Sequence, residues 1–183
     1  MTAKLTYNSL PPEIKAIANE SLGAGVLKSM FGSYAHTYHM VIKISNGEFV
    51  GFGLYHFKNV RIPGKGTKTV GVIDCVCVST PYRKDGFGTL ITFSVLRKIA
   101  SYGASRVELI LKTPRVEDRD GEPGVPLIGN QQVLQTLGFR RVKIQDGYFA
   151  ENSKRWGYEC RFCGNWPDTC KGITYVIDDD SSE

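Results

Sequence analysis

The segment that decides the fold is residues 74–89, which read DCVCVSTPYRKDGFGT. Its first five residues complete an almost continuous apolar run from Val70 to Val78, which is typical of a strand buried on both faces. A short turn with two glycines follows, and apolar residues then recur at helical spacing from Phe87 to Ala100. The segment is therefore predicted to form a strand, a tight turn and a helix, whose apolar positions are Leu90, Phe93, Leu96 and Ile99.

The start of this helix is predicted to bind a pyrophosphate. The first turn of a helix leaves about four backbone N–H groups unpaired, and the helix dipole adds partial positive charge there. Gly86 and Gly88 have no Cβ, so a phosphate oxygen can approach the backbone closely. Arg83 adds a charged fork suited to phosphate oxygens. The alternative is a plain strand-to-helix turn, but the strand, the arginine and the amphipathic helix together favour the anion site.

The same turn resembles that of the GNAT N-acetyltransferase superfamily. Residues 83–88, RKDGFG, match the pattern R/Q-x-x-G-x-G/A, and Val78 and Tyr82 stand where that family often has a valine and an aromatic residue. The later tripeptide at 137–139, LGF, is similar to the end of the family's fourth helix. The resemblance spans about residues 39–139.

This resemblance implies a fold, a cosubstrate and a reaction. The fold would be an α/β (α+β) domain with a mixed, mostly antiparallel central sheet flanked by helices. The cosubstrate would be acetyl-CoA or a related acyl-CoA, with direct transfer to a primary amine and no covalent enzyme intermediate. The cofactor-binding residues would be Val76, Cys77 and Val78 on the strand, and Arg83, Lys84, Asp85, Gly86, Phe87, Gly88 and Thr89 in the turn and helix start.

The order of elements along the chain favours the same fold independently. A helix is predicted over Glu13 to Leu22, and a hairpin around Asn46-Gly47 joins strands at 39–45 and 48–57. A loop is predicted over Arg61 to Thr69, which contains Pro63, Gly64 and Gly66. Further strands are predicted at 107–111, 140–145 and 174–177, with a short helix at 130–137 and a long polar loop at 113–130.

Asp74 is the candidate catalytic base, because an amine must be neutral before it attacks a thioester. In many relatives an acidic residue on the strand before the phosphate loop plays this part, and Asp74 lies four residues before Val78. It is also a carboxylate in an apolar run, where burial would raise its pKa. The alternatives are a structural ion pair or a solvent-facing position beside a bulge.

The sequence offers two candidates for the general acid that protonates the CoA thiolate. The family often has a tyrosine on the fourth helix, four residues before the glycine of the LGF-type ending, and this chain has Leu134 there. Tyr148 is the candidate that replaces it, with Tyr158 as the alternative. The thiolate would otherwise leave without help, or the chain would bind acyl-CoA and catalyse poorly.

The remaining histidines and cysteines are interpreted mainly as structural. His36 and His39 flank the first strand, and His39 is in reach of a cleft but is more often structural at such a place. Cys75 and Cys77 are expected to be small core residues on the face opposite Asp74, because strand side chains alternate. Three cysteines near the C-terminus suggest half of a zinc site, but a fourth ligand is not evident, so no metal residue is assigned: Cys160, Cys163 and Cys170.

Length and composition limit the class of protein. The chain has 183 residues with 42% hydrophobic residues; this fits one domain, 1–183, with a cysteine- and aromatic-rich extension at about 150–183. No apolar run approaches the roughly 20 residues that a membrane span needs, and no signal peptide is evident, so a cytoplasmic, non-membrane protein is expected. A monomer or a homodimer is expected. The net charge of +5 keeps nucleic acid open as a partner. The alternative function is a non-catalytic binding or inhibitor module that kept the fold.

Overall fold

The computed structural model describes residues 5–33, 36–64, 66–114, 133–146 and 170–178. It confirms the predicted α/β class, with helices flanking a six-stranded, mostly antiparallel sheet. The helices are α1 (Pro12–Leu22), α2 (Val26–Ser33) and α3 (Phe87–Ser101), and residues 133–136 are also helical. The strands are β1 (His39–Ser45), β2 (Glu48–Ile62), β3 (Gly66–Val78), β4 (Arg106–Pro114), β5 (Arg140–Asp146) and β6 (Cys170–Asp178).

The described residues divide into two compact units, one within 1–108 plus Asp178 and the other within 109–177. In the first unit β1, β2 and β3 are neighbours in that order, paired antiparallel, and β4 begins beside them. In the second unit the order continues from β4 through β6 to β5, and β5 and β6 are antiparallel. Within the described residues no helix has the length and apolar character that a membrane crossing requires.

The hairpin of β2 and β3 is much longer than the sequence predicts. The expected loop from Arg61 to Thr69 is wrong at both ends, because β2 runs to Ile62 and β3 begins at Gly66. Asn59 pairs with Thr69 in the ladder, and the Thr69 hydroxyl donates to the Asn59 side-chain oxygen at 3.2 Å. Gly64 takes a φ of 74° in the connecting turn, so the glycine signal marks only the tip.

One face of this sheet packs against α1 and α2. The α2 helix is absent from the sequence prediction, although Leu27 on it is buried with Ile14 and Ile17 of α1. Burial of α1 and α2 against Phe52 and Leu54 of β2 forms the core of the first unit. The amphipathic pattern of α2 covers only 8 residues, which is too short for a clear periodic signal.

The other face packs against α3, at distances that only glycine permits. A Cβ on Gly53 would lie 2.5 Å from Val95 Cγ2, and one on Gly71 would lie 2.3 Å from Ile99 Cγ2. The helix therefore rests on the strand backbone, which fixes its first turn at the end of β3. Its buried side is not the predicted one, because Leu90 and Phe93 are exposed while Ile91, Thr92, Val95 and Ile99 are buried.

Candidate active site

The turn after β3 has the geometry that an anion site requires. Gly86 lies in the left-handed region at φ 80° and precedes the first helical residue, and no described side chain caps the helix there. The first helical hydrogen bond runs from Leu90 N–H to Gly86 O at 3.1 Å. A Cβ on Gly88 would meet only Val78 Cγ2, at 3.9 Å. Within the described residues the two glycine positions of this turn are therefore uncrowded, and the first-turn N–H groups, which have no intrahelical partners, could receive an anion.

The arrangement of the turn is held by contacts at both of its ends. Ser79 N–H donates to Val50 O on β2 at 2.9 Å, and residues Thr80–Tyr82 form one 3₁₀ turn. The Tyr82 hydroxyl bonds to the carboxylate of Glu48, and its ring packs edge-on against Phe87 with centroids 5.8 Å apart. These contacts tie the turn to the start of β2, so the candidate anion site is anchored on the hairpin of β2 and β3.

Arg83, the predicted phosphate ligand, is bound to protein groups in this structure. Its Nε donates to Val78 O at 3.0 Å, and one terminal nitrogen lies 3.3 Å from both Glu20 Oε1 and Ser21 Oγ. Glu20 and Ser21 belong to the last turn of α1. The guanidinium therefore bridges the end of β3 and α1, and a bound phosphate would have to share it with Glu20.

A β-bulge in β3 determines where Asp74 points. Leu54 pairs with Cys75 and Tyr55 pairs with Ile73, so Asp74 is the extra residue between them. A bulge breaks the alternation of side chains, so the prediction that Cys75 faces away from Asp74 is wrong. Asp74 instead bonds to His56, which lies on the same face of β2 as Leu54.

Asp74 and His56 form a close, largely buried pair. His56 Nδ1 lies 2.8 Å from Asp74 Oδ2, and the two side chains are 9% and 13% exposed. Burial raises the pKa of the Asp74 carboxyl, and the hydrogen bond and charge of His56 act in the opposite direction. Sequence reasoning missed His56, whose signal is a polar residue that continues the buried alternation of Phe52 and Leu54.

His36 completes a three-residue cluster with this pair. Its ring stacks on that of His56 with centroids 4.2 Å apart and planes 14° apart. Burial lowers the pKa of His36, and the positive charges of His56 and Lys58 lower it further against the opposing effect of Asp74. His36 therefore contacts the histidine that is bonded to the candidate base Asp74.

The other histidine and the strand cysteines lie away from this cluster. His39 stacks on Tyr55 at a centroid distance of 5.3 Å, and Tyr55 opposes Ile73 rather than Asp74. Cys75 and Cys77 are buried in the core, as predicted. Its hydrogen bond with Cys77, together with burial, raises the pKa of the Cys75 thiol well above its ordinary value, so this thiol is not an activated nucleophile.

Several candidates fall outside the described residues: Tyr148, Tyr158, Cys160 and Cys163. Cys170 starts β6, but its side chain is not described. Leu134, at the position of the family's tyrosine, is buried. Among the side chains that are described, no three histidine, cysteine, aspartate or glutamate residues are grouped to hold a metal ion.

Solved structures of acetyltransferases share this fold. A GNAT family acetyltransferase from Elizabethkingia anophelis with acetyl-CoA bound is 14% identical, with a TM-score of 0.65 over 95% of this chain and 94% of its own. The ribosomal-protein-S18-alanine N-acetyltransferase from Escherichia coli is 14% identical, with a TM-score of 0.62 and coverages of 99% and 94%. An acetyltransferase from Bacillus subtilis in complex with CoA is 15% identical, with a TM-score of 0.60 and coverages of 93% and 93%.

Sequence comparison gives the family itself. No curated protein sequence matches this chain. The profile of the acetyltransferase (GNAT) family matches residues 12–117, which is more than half of the 183 residues. The match includes α1, the long hairpin, the glycine turn and α3, and therefore every part of the candidate site that the structure describes. The chain belongs to the acetyltransferase (GNAT) family.

Proposed function

We propose that this protein transfers an acetyl or related acyl group from acyl-CoA to an amine. The observation that carries the proposal is the uncapped, glycine-lined start of α3 at the end of the buried strand β3. Membership of the acetyltransferase family supports it, and so does the shared fold of the Elizabethkingia anophelis enzyme with acetyl-CoA bound.

The cofactor would lie along β3 and the turn. Backbone N–H groups from Asp85 to Thr89 would bind the pyrophosphate, with Arg83 beside them. The backbone groups of Val76 to Val78 would pair with the amides of pantetheine. Their side toward β2 is already occupied, since Gly53 pairs with Val76 and Gly51 with Val78, so pantetheine would use the opposite side.

The reaction would be a direct attack of the amine on the thioester. Asp74, together with the histidine bonded to it, would promote loss of the amine proton. The tetrahedral intermediate would collapse to an amide and the CoA thiolate. A route through an acylated Cys75 is disfavoured, because that thiol is buried and its pKa is raised.

The thiolate would be protonated by Tyr148, or by Tyr158 as the alternative. Leu134 is buried at the position where the family often has its tyrosine, and leucine has no proton to give. This substitution is also the observation that favours a second candidate function, a GNAT-fold module that binds acyl-CoA without efficient transfer. The two functions differ in turnover, not in cofactor binding.

The acceptor amine would belong to a protein, a small molecule or a nucleic-acid base. The net charge of +5 favours anionic acceptors in general. It does not distinguish a nucleic acid from an acidic peptide, so acceptor panels have to include both.

The test combines calorimetry with turnover. Isothermal titration with acetyl-CoA should give saturable heat, and absence of heat at high micromolar cofactor would remove the proposal. Thiol release should then be measured with an acidic lysine-containing peptide, a peptide with a free N-terminus, spermidine and duplex DNA. Release with one acceptor, and its acetylation by mass spectrometry, is the expected result. Binding without release from any acceptor would favour the non-catalytic module.

A further inference from the structure

We infer that His56 is the residue that takes the proton from the acceptor amine, and that Asp74 acts through it as a positioning residue. The inference rests on the proposed function and names the proton acceptor of the same site. It reverses the role expected from sequence, in which Asp74 acts directly. The geometry of the bulge, the pair and the stacked third ring carries it.

The hydrogen bond between the two side chains assigns their roles. His56 Nδ1 lies 2.8 Å from Asp74 Oδ2, and an ionised carboxylate can only accept. Nδ1 therefore carries the proton, and the lone pair of the neutral ring is on Nε2. Among the described residues, no hydrogen bond occupies Nε2, and this atom is not among the fully buried atoms without a partner.

The position of the pair along the sheet suits the acyl end of the cofactor. The pyrophosphate turn follows Val78, and pantetheine would run from it back along β3 past Val76. Asp74 comes two residues earlier, at the bulge, and His56 pairs with Val72 in the adjacent strand. At about 3.3 Å per residue, the bulge lies roughly 13 Å along the strand from Val78, on the path of the extended arm.

The surrounding groups keep a proton acceptor in place. His36 stacks on the His56 ring, and Tyr38 meets it edge-on at a centroid distance of 5.8 Å. The nearest cation on the same strand is Lys58, whose Nζ is 2.5 Å from Glu108 Oε2 on β4. Among the described residues, the charged and titratable groups shown around His56 are Asp74, His36 and, on the same strand, Lys58 with its partner Glu108.

The transfer of the proton and the acyl group conserves atoms and charge. The ammonium form of the acceptor gives one proton to Nε2, which leaves a neutral amine and an imidazolium stabilised by Asp74. The amine nitrogen forms a bond to the thioester carbonyl carbon, and the C–S bond breaks with its electron pair on sulfur. The second amine proton goes to the CoA sulfur, through the general acid or water, and the imidazolium returns its proton to solvent.

The test compares two histidines on opposite faces of the sheet. With the best acceptor of the panel, His56→Gln should lower kcat/KM by about 100-fold or more, the size of a general-base contribution. It should also remove the acid limb of the pH profile, while the acetyl-CoA affinity stays unchanged. The control His39→Gln replaces a half-buried histidine that also stacks on a neighbouring ring, and it should keep the rate and the acid limb. If the wild-type protein turns over and His56→Gln keeps the wild-type pH profile, the inference is overturned. The acyltransferase function would then still stand.

Asp74→Asn tests the positioning role. The asparagine amide can donate to Nδ1, which favours the tautomer with its proton on Nε2, so the acid limb should weaken and kcat should fall with little change in KM. An Asp74→Asn enzyme that retains the wild-type pH profile would contradict this role. If wild-type protein releases no thiol with any acceptor, the inference falls together with the proposed function.

A second measurement is made on the wild-type protein and uses variants only to assign its signals. The chain has three histidines, so nitrogen-15 spectra of their rings can be assigned with single substitutions at His36 and His39. Near neutral pH, His56 should show the tautomer with its proton on Nδ1. A proton on Nε2 instead would overturn the inference even if the activity tests were ambiguous.

Discussion

Gly51→Ala tests how closely the strands β2 and β3 and the helix α3 approach one another. A Cβ at Gly51 would lie 2.4 Å from Cys77 O and 2.9 Å from Ile91 Cδ1. A carbon-to-carbonyl contact normally needs about 3.3 Å, so β3 would have to move by roughly 0.9 Å. The obstacle includes a backbone atom that cannot rotate away. We therefore expect the upper end of the usual overpacking cost, a loss of about 3 kcal/mol in the free energy of unfolding.

Urea denaturation followed by far-ultraviolet circular dichroism measures this loss. With a slope of about 2 kcal/mol per molar urea, the midpoint should fall by roughly 1.5 M. The control is Gly32→Ala in α2, where a Cβ has nothing within 4 Å; stability should stay the same or rise by up to about 1 kcal/mol. A loss below about 1 kcal/mol for Gly51→Ala would refute the close approach of β2, β3 and α3.

Three further predictions concern the site. Burial raises the pKa of Asp74, so its stabilising contribution is present at acidic pH and is lost as pH rises through the folded value. Asp74→Asn should thus unfold at pH 7 no more easily than wild type, as chemical denaturation would show. Arg83→Gln should weaken acetyl-CoA binding by about tenfold in calorimetry, since a hydrogen bond to a charged group contributes about 1.5 kcal/mol; Glu20→Gln, which removes the carboxylate charge that competes for the guanidinium, should not weaken it. Tyr148→Phe should lower kcat by about 100-fold without changing acetyl-CoA affinity, and an unaffected rate would transfer the role to Tyr158.

The strand, turn and helix of residues 70–100 could be predicted from sequence because their signals are local. A buried strand, two glycines and a helical repeat all lie between Val70 and Ala100, and each depends only on near neighbours in the chain. The same holds for β1, whose predicted bounds at 39–45 are those of the structure. The family resemblance extended these local signals to the fold class, which the sheet confirms.

The pairing of His56 with Asp74 could not be predicted, because it depends on contacts that sequence periodicity does not show. His56 lies on β2 and meets Asp74 only because the two strands pair with one extra residue in β3. A period of two assigns Asp74 and Cys75 to opposite faces, and the bulge cancels that rule. The full length of β2 could not be predicted for a similar reason. Glycine and proline near Gly64 predict a loop, and they do not show how far the antiparallel pairing of β2 and β3 continues.

The buried side of α3 also required the structure. Leu90 and Phe93 fit a helical repeat, but the residues that face the sheet are those that meet its glycines. Gly53 and Gly71 admit Val95 and Ile99 at distances that any larger residue would prevent. The choice of face was therefore encoded in the strands, far along the chain from the helix.

Amide chemical shifts during titration with acetyl-CoA test most directly whether the cofactor binds along β3 and the turn that follows it. The 20.3 kDa chain is small enough for backbone assignment, and each amide reports on its own surroundings. We expect that saturating acetyl-CoA gives the largest shifts at Asp85 to Thr89, with a second group at Val76 to Val78. Absence of shifts at millimolar acetyl-CoA, or shifts that avoid both segments, would contradict it.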